Sequence, residues 1–339
     1  MPRLRLPGFL LLAACLAAPA QAAPPLPDLQ ADPARTSVSG LSSGGFMAAQ
    51  YAVAFSASTF GVGVIAGGPY LCTEVTLGGI LSCMKGTPDG AASFRAAQAA
   101  AARGAIDPVA ALATSRVYLF SGRNDPTVLP AVVEAVRTFY REAGTPDAAV
   151  KAVTDLPAGH AFLSPSFGSA CGVTESPYIT RCVTAEGTAY DQPAALLTHL
   201  YGPLRPAAET VPAPLPFDQT AFGPTDRTGL AEIGYLYLPD ACRADAGRGC
   251  AVHVVFHGCR QSATAVGDAV YAKVGYNRWA ESNRIIVLYP QVVPTESAVN
   301  PRGCWDWWGY SQADFAIRSA PQMAAIRAMV ERLTAPAQP

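Results

Sequence analysis

Short apolar runs separated by amphipathic stretches set the pattern from Thr36 onward. Ser37-Val38-Ser39 reads as a short strand, and Gly45 to Phe55 as a helix with Met47, Tyr51 and Ala54 on one face. Gly61 to Ala66 and Arg116 to Phe120 read as buried strands, Leu129 to Ala143 as a helix, and Ala149 to Thr154 as a strand. Ala194 to Tyr201 has an apolar helical pattern. Residues 203–226 then interrupt the alternation with many prolines. A second set follows: strands at Ile233 to Leu238, Val252 to Phe256 and Ile285 to Tyr289, a helix over Thr264 to Asn283, and a last helix over Pro321 to Leu333. Strands alternating with helices predict an α/β fold around a mostly parallel sheet. The Pro- and Ala-rich residues 23–34 read as a loose lead-in.

The start of the chain changes the picture. Arg3 and Arg5, the apolar run Phe9 to Ala18 and the small residues of Ala20-Gln21-Ala22 form an export signal over residues 1–22. That run is too short to span a bilayer. A second reading takes Leu12-Ala13-Ala14-Cys15 as a lipoprotein box, with Cys15 lipid-anchored. Cysteine usage agrees with export. Eight cysteines follow the signal, at 72, 83, 171, 182, 242, 250, 259 and 304. An even number in an exported chain implies disulfides. Proximity suggests Cys72 with Cys83, Cys171 with Cys182 and Cys242 with Cys250, which leaves Cys259 for Cys304. No C-x-x-C or other zinc-like spacing occurs, so no metal is expected.

Of the 339 residues, 50% are hydrophobic and 14% charged, with a formal net charge of −1, which leaves room for a large core. Such a balance gives no footprint for nucleic acid or an anionic membrane.

Gly40-Leu41-Ser42-Ser43-Gly44 fits the G-x-S-x-G turn that lifts a serine above a sheet edge, and it stands between a strand and a helix. A serine needs a base. The chain has four histidines. His199 lies in an apolar helix and His253 within a strand, which leaves His160 and His257 at strand ends. His160 follows a strand in Ala158-Gly159-His160, the place of a hydrolase base. Asp125, after strand Arg116 to Phe120 and a Gly-containing turn, supplies the acid, and Ser42, Asp125, His160 is the chain order of α/β-hydrolases. Asp191 is a second candidate acid but breaks that order. His257-Gly258-Cys259 looks like the loop that gives the second oxyanion donor, yet it follows the nucleophile. A circular permutation explains this, with the Pro-rich stretch as the bridge and the N–H groups of Ser43 and Cys259 as the oxyanion hole. Cys304 to Tyr310 holds three of the four tryptophans in an irregular segment, and Trp305, Trp307, Trp308 and Tyr310 are candidate substrate contacts.

The motifs Gly40 to Gly45, Ser121 to Asp125, Gly159-His160 and His257 to Cys259 resemble those of secreted poly(3-hydroxybutyrate) depolymerases with the permuted, type 2 catalytic domain. The resemblance covers roughly residues 30–335. It implies a single-domain permuted α/β-hydrolase that cleaves short-chain polyhydroxyalkanoate esters. One catalytic domain over residues 23–339, a polyester or oligoester substrate, no cofactor and a monomer are the expectations that accompany it. It implies Ser42 as nucleophile, His160 as base, Asp125 as its orienter, and Ser43 and Cys259 as oxyanion donors. Many such enzymes carry a polymer-binding module after the catalytic domain. None is read here, so weak attack on crystalline granules is the expectation. Two other readings are a feruloyl or acetyl esterase of plant walls and a non-catalytic polymer-binding surface protein.

Overall fold

The computed structural model describes residues 22–295 and 299–335, so the export signal and Cys15 lie outside the described residues. Eleven strands are present among them, eight in one sheet. In chain order these eight are β1 (Thr36–Leu41), β2 (Thr59–Ile65), β3 (Arg116–Phe120), β4 (Val150–Val153), β8 (Leu215–Asp218), β9 (Ile233–Tyr237), β10 (Ala251–Phe256) and β11 (Ile285–Tyr289). A small second sheet holds β5 (Phe162–Leu163), β6 (Ser169–Ala170) and β7 (Ile179–Arg181). The large sheet runs β4-β3-β2-β1-β10-β11-β9-β8. β1 lies parallel between β2 and β10, with Ser37 opposite His253 and Gly40 opposite Phe256. Antiparallel pairing occurs only at one edge, where β9 is reversed against both β11 and β8.

This order exhibits the permutation. The strands after the Pro-rich stretch occupy one half of the sheet and those before it the other, joined where β1 meets β10. The strand that ends at Ser42 and the strand that leads into His257-Gly258-Cys259 are therefore neighbours. The Pro-rich stretch itself supplies β8, where Pro216 is tolerated because the strand sits at the edge.

Three expectations need correction. Residues 23–34 are not loose: Leu26, Leu29 and Ala31 are buried, Leu29 N–H donates to Arg332 O, and Ala31 N–H donates to Leu333 O. The helix Ser43–Ala54 is not one-faced, because all twelve of its residues are buried. Its residues are mostly small or apolar all round, the composition of a helix covered on every side. The helix expected over Thr264 to Asn283 is instead a short helix at Ala263–Val266, a π turn at Ala269–Lys273 and a helix at Tyr276–Asn283. Gly267 and Gly275 stand at the breaks with φ of 62° and 122°, which helical backbone does not allow.

Four disulfides join Cys72 to Cys83, Cys171 to Cys182, Cys242 to Cys250 and Cys259 to Cys304, the pairs that proximity suggests. No helix among the described residues is long and apolar enough to cross a membrane.

Candidate active site

The turn after β1 is forced by close backbone packing. A Cβ on Gly40 would lie 2.3 Å from Gly44 O, and one on Gly44 2.3 Å from Phe256 O. No side chain fits either place, so the turn presses directly on the end of β10. Ser42 is held at φ 59°, ψ −122°, a conformation that costs a non-glycine residue of order 1–3 kcal/mol and persists only where the surroundings impose it. Ser42 caps the helix Ser43–Ala54, whose N-terminal dipole end faces the same place.

Asp125 and His160 come from the turns after β3 and β4, which clamp each other. Arg123 N–H donates to Leu156 O and Asn124 N–H to Ala158 O. Asp125 is buried, and its Oδ2 lies 2.7 Å from His160 Nδ1. Its Oδ1 accepts from the backbone N–H of Thr127 at 2.7 Å and of Val128 at 2.9 Å. A carboxylate so placed keeps the imidazole proton on Nδ1 and leaves Nε2 as the free base. His160 N–H donates to Thr174 Oγ1, in the segment that the Cys171–Cys182 bond and the small sheet hold down. No hydrogen bond joins Ser42 to His160 among the described residues, but both line one cavity of about 220 Å³ with Thr127, Thr174, Gln261 and Arg302. Catalytic hydrogen bonds of this kind often close only with substrate present.

The loop after β10 meets Ser42 from the other side. A Cβ on Gly258 would lie 3.5 Å from Ser42 Cβ. His257 is buried, and its Nε2 accepts from Val292 N–H at 3.1 Å. The ring proton is therefore on Nδ1, which donates to Gly258 O at 2.7 Å. Burial pulls His257 down to about 4, so it is neutral at working pH. Because the peptide is planar and trans, Cys259 N–H points opposite to the Gly258 C=O that His257 holds, and Cys259 lines the cavity. Neither Ser43 N–H nor Cys259 N–H is taken by a backbone acceptor among the described residues. Gly258 N–H donates to Gln261 Oε1, and the Cys259–Cys304 bond fastens the loop to the aromatic segment.

That segment is folded around Asp306, a residue the sequence reading passes over. The carboxylate accepts from the backbone N–H of Trp308, Gly309, Tyr310 and Ser311. Its signal was present in the loop spacing Asp306-Trp307-Trp308-Gly309, since Asp commonly accepts from the backbone a few residues on. Trp307 stacks on Phe46 at 4.1 Å and meets Trp308 edge-on at 5.5 Å. Both line a second cavity of about 290 Å³ that shares Ser42, Met84, Cys259 and Arg302 with the first. Trp305 and Tyr310 line neither cavity. Trp305 is fully buried against Phe256 and His257, and Tyr310 donates to Cys304 O while receiving from Gln322. Larger clefts lie beside Tyr235 and Gln291 and beside Tyr310, at about 490 and 1010 Å³, but no histidine lines either, which leaves the smaller cavities at Ser42 as the candidate site.

The serine contacts of another histidine do not compete. His253 touches Ser37 Oγ at 2.7 Å and Ser39 Oγ at 2.8 Å, but all three are wholly buried between β1 and β10, and burial pulls the imidazole down to about 3. Asp191 is occupied elsewhere, accepting from Ala194 N–H and Trp279 Nε1. No group of three His, Cys, Asp or Glu among the described residues could hold a metal ion.

No family model matches the chain. It is 41% identical over 331 residues to a poly(3-hydroxybutyrate) depolymerase of Delftia acidovorans, an alignment covering 95% of this chain and 64% of that one, so it spans under two thirds of that relative's length. It is 36% identical over 329 residues to a polyhydroxybutyrate depolymerase of Talaromyces funiculosus, covering 92% of this chain and 93% of that one. Among solved structures, a PHB depolymerase of Penicillium funiculosum superposes with a TM-score of 0.83 at 34% identity, covering 91% of this chain and 98% of that one. A serine-to-alanine PHB depolymerase complexed with R3HB trimer does so at 0.84, with the same identity and coverage. Similarity of that extent, along nearly the whole length of three of these relatives, makes this chain a member of the poly(3-hydroxybutyrate) depolymerase family.

Proposed function

We propose that the chain is an exported serine esterase that hydrolyses poly(3-hydroxybutyrate) or its soluble oligomers, built as one permuted domain behind a cleaved signal. The observation that carries this reading is the buried Asp125–His160 pair at 2.7 Å, facing the cavity that holds Ser42 on its strained turn. Ser42 attacks the ester carbonyl while His160 Nε2 takes the hydroxyl proton. The N–H groups of Ser43 and Cys259 receive the charge that develops on the carbonyl oxygen. His160 passes its proton to the leaving alcohol, then activates the water that releases the acid from Ser42. Trp307 and Trp308 offer the acyl part an apolar wall, which suits methyl-bearing repeats better than a charged one. None of these steps calls on a metal or an organic cofactor. The four disulfides support an oxidising destination.

Clearing of a poly(3-hydroxybutyrate) suspension, run beside a feruloyl-ester assay, tests the reading. Ser42→Ala should abolish clearing, whereas Ser43→Ala, which keeps its backbone N–H, should cost far less. Turnover of the feruloyl ester alone would replace the polyester with a plant-wall substrate. Phosphonate labelling of Ser37 in place of Ser42 would overturn the site.

A further inference from the structure

Two side chains at the mouth of the site have no part in the steps above. Arg260 and Arg302 are exposed, and both line the cavity that holds His160. Neither forms an ion pair among the described residues. Among the described residues no Asp or Glu lines this cavity or its aromatic neighbour, so the charge they bring there is positive in a chain of net charge −1. The two arginines are also held together. Arg260 N–H donates to Arg302 O at 2.7 Å, and the Cys259–Cys304 bond ties the same two segments one residue before Arg260 and two after Arg302. Arg260 stands at φ 61°, a left-handed conformation that a long side chain rarely adopts unless its surroundings impose it.

The direction of the reaction says what should arrive there. The group that protonates the leaving oxygen stands on the leaving-group side, and His160 has that task. The cavity with His160, Thr174 and Gln261 thus receives the alcohol fragment, and the cavity with Trp307 and Trp308 the acyl fragment. In a polyester of hydroxy acids the alcohol fragment is the one that continues toward the carboxyl end. When the cut falls near that end, the fragment carries a free carboxylate.

The geometry points to a carboxylate-binding subsite formed by Arg260 and Arg302 on the leaving-group side, which directs the enzyme to bonds near the carboxyl end of short hydroxy-acid oligomers. This rests on the esterase reading above and adds to it a charge preference and a direction of attack. A guanidinium matches a carboxylate in a forked pair. Its exposure keeps the gain modest and sensitive to salt.

The test compares kcat/KM for a hydroxybutyrate trimer as free acid and as methyl ester, for the wild type, Arg260→Gln, Arg302→Gln and the double variant. The acid should be favoured by about three- to fivefold at low salt. That ratio should fall toward one in high salt and in the double variant. Taking the ratio within each preparation cancels any loss of folded enzyme. Equal rates on acid and ester in the wild type overturn the subsite, as does an acid preference that the double variant keeps. Failure to cleave either trimer, with p-nitrophenyl butyrate still turned over, brings down the polyester reading and the subsite with it.

Discussion

Asp125 divides its carboxylate between two tasks. Oδ1 holds the turn through Thr127 and Val128, and Oδ2 holds His160. An Asx turn before Pro126 and the proposed orienter of His160 are the same residue using different oxygens. Asp125→Asn should therefore keep the turn, because the amide oxygen still accepts from the two N–H groups. Its NH2 would face His160 Nδ1 and force the proton onto Nε2, removing the free base. The expected loss in kcat is about four decades with little change in melting temperature. An asparagine variant within tenfold of wild-type activity would refute the assigned role. The tryptophans divide in another way. Their clustering was visible in the sequence, but not their directions, since neighbours in an irregular loop face wherever packing sends them. Trp305→Ala should cost about 3–5 kcal/mol of stability, because the indole is fully buried. Trp308→Ala, at the partly exposed wall, should instead raise KM for a trimer while leaving the melting temperature close to wild type. Equal destabilisation by both would place Trp308 in the core.

At the scale of elements, strands were legible where a compact apolar run stops at a turn residue, Gly122 after one and Pro290 after another. Arg116 to Phe120 and Ile285 to Tyr289 stand as read. The break of Thr264 to Asn283 was signalled by Gly267 and Gly275 and went unread because apolar spacing outweighed them. The small sheet was illegible for a different reason: strands of two or three residues have no period to detect. Yet its segments carry Thr174, which fixes His160. The disulfides allow elements to be tested one at a time. In the chain-entropy model the Cys259–Cys304 closure is worth about 4 kcal/mol and the shorter Cys242–Cys250 closure about 2.5 kcal/mol. Replacing either pair with alanine should lower the unfolding free energy. Only the first pair joins the proposed oxyanion loop to the aromatic wall, so only its loss should also lower kcat at temperatures where the protein stays folded. Equal kcat for the two double variants would make the Cys259–Cys304 bond a stabiliser of the chain with no bearing on the site.

Across the whole molecule, permutation leaves the sheet unchanged and moves the chain ends, so the strands that meet at Ser42 come from opposite halves of the sequence. The order of motifs was enough to infer this, because a His-Gly loop placed after the base makes sense only if β10 lies beside β1. What order could not convey is how much polar chemistry that junction buries. His253 lies there among Ser37, Ser39 and Tyr276, and His257 among Gly258, Val292 and Trp305, with no carboxylate of the described residues bonded to either ring. Burial pulls the two down to about 3 and about 4, and it lowers the half-buried His199 as well. A histidine kept neutral in the folded state binds its proton more readily when unfolded. Its contribution to stability is thus complete above about pH 6.5 and is lost as pH falls from there toward the folded values. At pH 5 the unfolded chain holds roughly one extra proton at each of His253 and His257, which costs about 2 kcal/mol apiece. Urea unfolding followed by fluorescence at pH 7 and at pH 5 should show the midpoint falling on acidification at constant slope. Replacing His253 with a residue of similar volume that does not titrate, such as glutamine, should flatten part of that dependence even if it lowers stability at pH 7. A midpoint that holds steady from pH 7 to pH 5 would mean that both rings are already charged in the folded protein, and Val292 N–H would then have no acceptor on His257.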